Sequence, residues 1–388
     1  MLTNKDIYPA LFLAGGCFLT VIAQFIPAVS AVYPLIWLAF ILYYCTKCRD
    51  SIYFGRISLT ILGLFVIFGI YCAVCFVISG ELGYIAGIFQ VLAKSLLMYM
   101  VGLVAFRAVG TDYCCWRLVI IFYGIGTAIY SLWAIVNYFP GFNAWLSSLE
   151  YIFSSKNSLG QICGAGSLCF VILATPMDKI GARCACYVSA IAFWVVAMLF
   201  QCRTAAMAVV IGIVFLLILR KEKKVIVALM AFSLLALFLS HDFQSFVSHA
   251  FLIDKYSAGG DYSSGRLAFW ADAFQTFKGD EMCGIGSFYV DNLYLNVLVN
   301  VGIIGFIFVI GLWSIRAFVN LLRSRQTNGA SPQWLLELVS ALTIFYLIES
   351  ALEGLPPLGP GTCSFMFWIL CGCLDAAYAT EEMGELYE

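Results

Sequence analysis

The chain has 388 residues, 63% hydrophobic and 11% charged, with a formal net charge of -1 and a mean hydropathy of +0.97. Ordinary soluble domains carry roughly 25% charged residues, so the composition excludes a soluble enzyme and marks a membrane protein. No soluble domain is left over, and no nucleic-acid partner is expected.

Apolar runs approach the roughly 20 residues that a helix needs to cross a bilayer core. They predict an all-α polytopic protein of about twelve spanning helices, over 7–26, 28–45, 57–78, 83–105, 117–138, 157–175, 180–200, 204–220, 224–240, 293–315, 333–350 and 359–377. The first run reads as a span and not a signal peptide, because no small-residue cleavage site is obvious. Residues 1–388 thus form one integral membrane domain. No fixed-period repeat and no inverted pair of broken helices is visible, which weakens a transporter reading.

The sixteen cysteines fall mostly inside these runs, as Cys72 and Cys75 or Cys371 and Cys373 do, and read as small buried hydrophobes. With His241 and His249 the only histidines, no metal site is expected. Cys202, Cys283 and Cys363 lie near the face assigned below as outer, and a disulfide among them stays open.

Basic residues set the orientation, since cytoplasmic loops retain Lys and Arg. With both termini inside, the inner loops hold Lys5, Lys47, Arg49, Arg56, Arg107, Arg117, Lys179, Arg183, Arg220, Lys221, Lys223, Lys224, Arg316, Arg323 and Arg325, fifteen of the 21 cations. The outer side keeps Lys156, Arg203, Lys255, Arg266 and Lys278, and Lys94 is left within a helix. Two polar excursions, Phe139 to Asn157 and His241 to Asn292, then face outward. The second, 241–292, is the main outer loop, and the acidic tail of Glu381, Glu382, Glu385 and Glu388 stays inside.

Arg203 opens a helix rich in small residues, where it reads either as a snorkelling arginine at the headgroup level or as a clamp for phosphate. Arg266 follows Gly265 and heads an amphipathic stretch with Leu267, Trp270, Phe274 and Phe277 near one face. Trp270 suits a membrane-interface anchor, and Arg266 is either a phosphate clamp or a loop charge paired with Asp261 or Asp272. Two arginines suit a pyrophosphate because their planar forks match its oxygens bidentately at any working pH.

Gly284 and Gly286 allow a tight backbone path before Asp291 and Asn292, either of which caps the helix starting near Leu293. Asn292, Asn296 and Asn300 recur one turn apart and form a polar stripe, which in a membrane faces a bundle interior or a wet cavity. Lys94, one turn after Gln90, and the pair Glu349 and Glu353 are further polar groups that could meet it. Lys94 equally suits a structural charge that neutralises a carboxylate. Tyr289, Tyr294 and Tyr346 read as interface aromatics.

The order of these pieces resembles the O-antigen ligase/polymerase family of bacterial cell-envelope glycosyltransferases. The matching positions are Arg203 at a helix head, Ser264-Gly265-Arg266, Trp270, Gly284-Ile285-Gly286, Asp291-Asn292, Tyr294-Leu295 and Gly302-Ile303-Ile304-Gly305. The resemblance implies a GT-C-like membrane glycosyltransferase acting on undecaprenyl-pyrophosphate-linked oligosaccharide at the periplasmic face of the inner membrane, with no cofactor. Membrane lipids and a chain-length regulator protein are the other partners it implies. Arg203 and Arg266 map to the arginines expected to hold the donor's pyrophosphate. Asp291 stands where ligases typically have a histidine, which leans the reading towards a polymerase, with Asp291 as base. Asn292, Tyr294, Asn296, Trp270, Gly284, Gly286, Lys94, Glu349 and Glu353 complete the expected substrate-binding set. A ligase acting on lipid A core and a lipid-linked glycan flippase, gated by Lys94 and Glu349, are the alternatives.

Overall fold

The computed structural model describes residues 4–47, 54–80, 82–147, 155–228, 231, 240–253, 265–279, 281–286, 290–324, 332–354, 356–358 and 363–385. Among them the regular structure is helical, without strands. The helices described in the first part of the chain are α1 (Asn4–Ile22), α2 (Pro27–Lys47), α3 (Arg56–Ser79), α4 (Leu82–Val109), α5 (Tyr113–Tyr138), the short α6 (Phe142–Ser147), α7 (Lys156–Ala174), α8 (Ile180–Leu199) and α9 (Arg203–Leu219). Then follow α10 (His241–Ala250), α11 (Arg266–Phe277), α12 (Leu293–Arg323), α13 (Gln333–Leu352) and α14 (Phe365–Glu385). Helices dominate because a backbone in lipid must satisfy its own hydrogen bonds, and a helix does so within one segment.

Eight of these helices are long and apolar enough to cross a membrane, and Ile7–Ile22, Arg203–Leu219 and Phe365–Thr380 are shorter apolar helices. The architecture is therefore an all-α, multi-pass membrane protein. Eleven of the predicted spans coincide with one of these helices; most of the other, 224–240, lies outside the described residues.

Burial separates centre from rim. α7 is buried along nearly its whole length, between α5, α8, α9 and α13. α2, α3 and α8 instead expose Leu35, Val77, Ile78 and Val188, the apolar belt that suits lipid. α4 and α14 cross closely through Gly102 and Gly372: a Cβ on Gly372 would lie 2.1 Å from the carbonyl oxygen of Tyr99.

One end of the bundle is tied by charge. Arg316 and Arg323 of α12 both pair with Asp375 of α14, and the Tyr99 hydroxyl donates to the same carboxylate at 2.6 Å. Asn320 accepts from Arg316 and donates to Thr343 at 2.9 Å, and the Arg323 guanidinium lies 4.0 Å over the Tyr378 ring. Nearby, Arg220 pairs with Glu337. This corrects the prediction that the tenth span ends at 315 with Arg316 and Arg323 in a loop. α12 runs on to Arg323, because Asp375 supplies the partner that makes two buried guanidinium groups tolerable.

Candidate functional site

The site end of the bundle lies opposite that charge cluster. Four of the helices that begin there frame the site: α7 at Lys156, α9 at Arg203, α11 at Arg266 and α12 at Leu293. Unsatisfied N–H groups give helix starts partial positive charge, so the three cations sit where backbone dipoles already favour an anion. α13 runs the other way and ends there, bringing Glu349 and Glu353.

These ends enclose a cavity of about 210 Å³ lined by Lys156, Asn157, Gln201, Cys202, Arg203, Thr204, Ala205, Arg266, Asp291, Glu349 and Glu353. Five predicted site residues meet here, namely Arg203, Arg266, Asp291, Glu349 and Glu353. Arg266 lies between two carboxylates: its Nη2 is 3.4 Å from Glu353 Oε1 and its Nε is 3.9 Å from Asp291 Oδ2. Both separations are long for a charge-assisted bond, so the guanidinium is shared rather than locked. Glu353 also accepts from Asn157 Nδ2 at 2.6 Å. Burial pushes the Glu353 carboxyl up to about 7, against the pull of Arg266, Lys156 and Arg203 and with a further push from Asp291. Asp291 is the more open of the two carboxylates, with 37% of its side chain exposed against 7% for Glu353.

Gly265 reaches a φ of +80° immediately before Arg266, which is how the chain turns into α11. Among the described residues the carboxylates beside Arg266 are Asp291 and Glu353, not the Asp272 of the sequence reading, and Asp261 lies outside the described residues. Trp270 is half-buried. It packs beside the buried cluster of Ala273, Phe277, Val290 and Val299, while Leu267, Phe269 and Phe274 are exposed.

The remaining predicted residues build the frame around the cavity. Asn292, not Asp291, caps α12, accepting from Leu295 N at 3.0 Å, and its Nδ2 donates to Ala351 O at 2.8 Å. Asn296 donates to Gly354 O at 3.0 Å and accepts from Val290 N and Asn300 Nδ2 at 3.2 and 2.9 Å. The asparagine stripe thus faces the bundle interior and fastens the end of α13 beside α12. Tyr294 reaches Ser350 Oγ at 3.1 Å. Tyr346 is fully buried and not an interface aromatic, and Tyr289 lies outside the described residues.

The glycine motifs have a shared physical origin. Gly302 breaks α12 with φ +73° and ψ -177°, and residues 281–286 run alongside the break. Ile303 N donates to Glu281 O and Ile285 N to Val299 O, both at 2.9 Å, and Gly286 N to Asn300 O at 3.3 Å. A Cβ on Gly302 would lie 2.1 Å from Met282 O, and one on Gly284 2.4 Å from the Asn300 carbonyl carbon. Gly284 and Gly286 therefore let two backbones touch and do not line the cavity.

Lys94 is half-buried and off the cavity. Among the described residues no ion pair joins it to Glu349 or to another carboxylate. Cys202, Cys283 and Cys363 are not joined in a disulfide; Cys202 Sγ lies 3.0 Å from Lys156 O, tying the starts of α9 and α7 together.

Sequence reasoning passed over Lys156 as one more outer cation and did not single out Asn157 or Gln201. A usable signal existed, since Lys156-Asn157 opens a span on the side that otherwise avoids basic residues. Gln201, at φ +53°, has none, because its place depends on a contact with His249, whose ring stacks edge-on against Trp145 at 4.3 Å between ring centres. No protein-family model matches the chain, and no curated protein matches it.

Proposed function

We propose that the chain is a membrane glycosyltransferase of the O-antigen polymerase type, joining undecaprenyl-pyrophosphate-linked oligosaccharide units at the periplasmic face of the inner membrane. One observation carries this reading: Lys156, Arg203 and Arg266 converge with Asp291 and Glu353 on a single cavity. Three cations at helix starts suit a diphosphate, and a carboxylate at the rim suits an incoming hydroxyl.

In the proposed reaction the acceptor hydroxyl oxygen attacks the anomeric carbon of the donor sugar, and the bond from that carbon to the phosphate oxygen breaks. The pyrophosphate leaves with the electron pair, its charge met by Arg203, Arg266 and Lys156. The hydroxyl proton passes to Asp291, the more open carboxylate, while Glu353 holds the Arg266 guanidinium in place.

The asymmetry of the bundle favours an enzyme over a carrier. A carrier must open at both ends in turn, whereas the end opposite the cavity is held by Arg316, Arg323 and Asp375 and by Arg220 and Glu337. Aspartate in place of the ligase histidine favours a polymerase over a ligase. Purified protein given a lipid-linked repeat unit and no transmembrane gradient is expected to lengthen it. Binding without a new glycosidic bond would sink the enzyme reading, and transfer only to lipid A core would make it a ligase.

A further inference from the structure

Tyr71 of α3 joins two segments on which the frame of the site depends. Its Oη lies 2.8 Å from Met282 O and 2.6 Å from Val301 O, so α3 is fastened both to residues 281–286 and to the break in α12 beside Gly302. Cys75 stands one turn further along α3 and shares that face, while Cys283 directly follows Met282. The two thiols meet there: Cys75 Sγ is in hydrogen-bond contact with Cys283 Sγ and with the Tyr71 hydroxyl.

Their surroundings differ in a way that suits exchange chemistry. Cys75 is 1% exposed and sits one turn before α3 ends at Ser79, whereas Cys283 is half-buried and lies outside any helix. Cys283 is thus the thiol a reagent can reach, and Cys75 is the neighbour placed to resolve the adduct. A structural zinc would need four ligands, and among the described residues no group of three or more His, Cys, Asp or Glu side chains is placed to hold a metal ion. A disulfide sets its sulfurs about 2.05 Å apart, a separation that two touching thiols reach by rotating short side chains.

We propose that Cys75 and Cys283 form a disulfide on the outer side of the membrane, a covalent tie between α3 and the segment that packs against the α12 break. This rests on the periplasmic placement proposed above, because disulfides persist in that compartment. The oxidant is a thiol–disulfide exchange partner carrying a disulfide of its own. Cys283, as its thiolate, attacks one sulfur of that disulfide and releases the other as a thiol. Cys75 then gives up its proton and attacks Cys283 Sγ, and the partner leaves as a second thiol. Two protein thiols are oxidised, one disulfide is reduced, and each proton passes to a departing sulfur.

The test uses the full chain twice: in cells quenched with acid and alkylated under denaturing conditions, and purified, equilibrated with oxidised glutathione and alkylated in the same way. Peptide mass mapping reads the links. A Cys75–Cys283 link is expected in both samples, retained in Cys72→Ala and lost in Cys75→Ala, where Cys283 becomes alkylated. Reduction is expected to speed amide exchange several-fold at Ile285 and Gly286, whose N–H groups bond Val299 O and Asn300 O. Thiols that both stay alkylatable after glutathione treatment, or a Cys283 linked to any other cysteine, overturn the pair. Exchange that reduction leaves unchanged overturns the tie. A link that glutathione makes but quenched cells lack overturns the periplasmic placement instead.

Discussion

Asn157, in the first turn of α7, donates a 2.6 Å hydrogen bond to Glu353, which closes α13. The same carboxylate lies 3.4 Å from Arg266 Nη2. Glu353 is therefore held by a neutral donor while it also faces a cation that a bound diphosphate would compete for.

That competition has a pH sign. Burial raises Glu353 from 4.5 to about 7, so below that value the carboxyl is neutral and leaves Arg266 to an anion. Above it the carboxylate opposes the anion. Inorganic pyrophosphate is expected to bind several-fold more weakly at pH 8 than at pH 6 in calorimetric titrations, and Glu353→Gln to flatten the slope. A raised carboxyl stabilises the fold below about 4.5 and loses that contribution as pH rises through about 7. The Gln variant is accordingly expected to melt higher than wild type at pH 8.

Arg203→Ala and Arg266→Ala are each expected to leave cells with single repeat units in place of long chains, with the protein still in the membrane. Arg266→Lys should recover little, since a point charge lacks the planar fork that faces two acceptors at once. Gel separation of the surface polysaccharide reads the result, and unchanged chain lengths in all three variants would refute the site.

Asp291→Asn removes the proposed base but keeps shape and neighbours. Lengthening of a lipid-linked unit is expected to slow by about 10²–10⁴-fold, with lipid binding retained. A variant that binds and lengthens normally would pass the role of base to another group, and Glu353 is the nearest carboxylate to Arg266.

At the opposite end, Asp375→Asn would leave Arg316 and Arg323 buried without their counter-charge, a loss worth about 3–5 kcal/mol for a broken buried pair. Arg316→Met should cost less, because Arg323 and Asp375 then remain a balanced pair. Thermal melting in detergent orders the two, and a more damaging Arg316→Met would overturn this account of the cluster.

Gly302→Ala is expected to lower the yield of folded protein sharply. The φ of +73° disfavours any Cβ, and the backbone of Met282 occupies the space it would need. Size-exclusion profiles at equal expression give the comparison.

The length of the apolar runs made most of the helices legible, because a run of apolar residues of bilayer length has few other ways to satisfy its backbone. Its limits show at the ends. The helix through Arg316 outlasts its apolar pattern, since Asp375, far away in the sequence, pairs with its charges. The site was legible where an exception to the charge bias flagged it: Arg203 and Arg266 stood on the side that avoids cations, and both line the cavity. Glu353 was noticed only as a neighbour of Glu349. Its central position comes from Asn157 and Arg266, on two other helices.

By itself the sequence determined the all-helical membrane class and the outlying arginines, because length, hydropathy and charge act locally along the chain. Only the tertiary structure decided which polar groups face one another. It turned the glycine and asparagine motifs into a frame, the glycines through backbones too close for any side chain and the asparagines through side-chain hydrogen bonds to Ala351 and Gly354. It gathered Lys156, Arg203, Arg266, Asp291 and Glu353 around one cavity, because five separate helix ends meet at one end of the bundle.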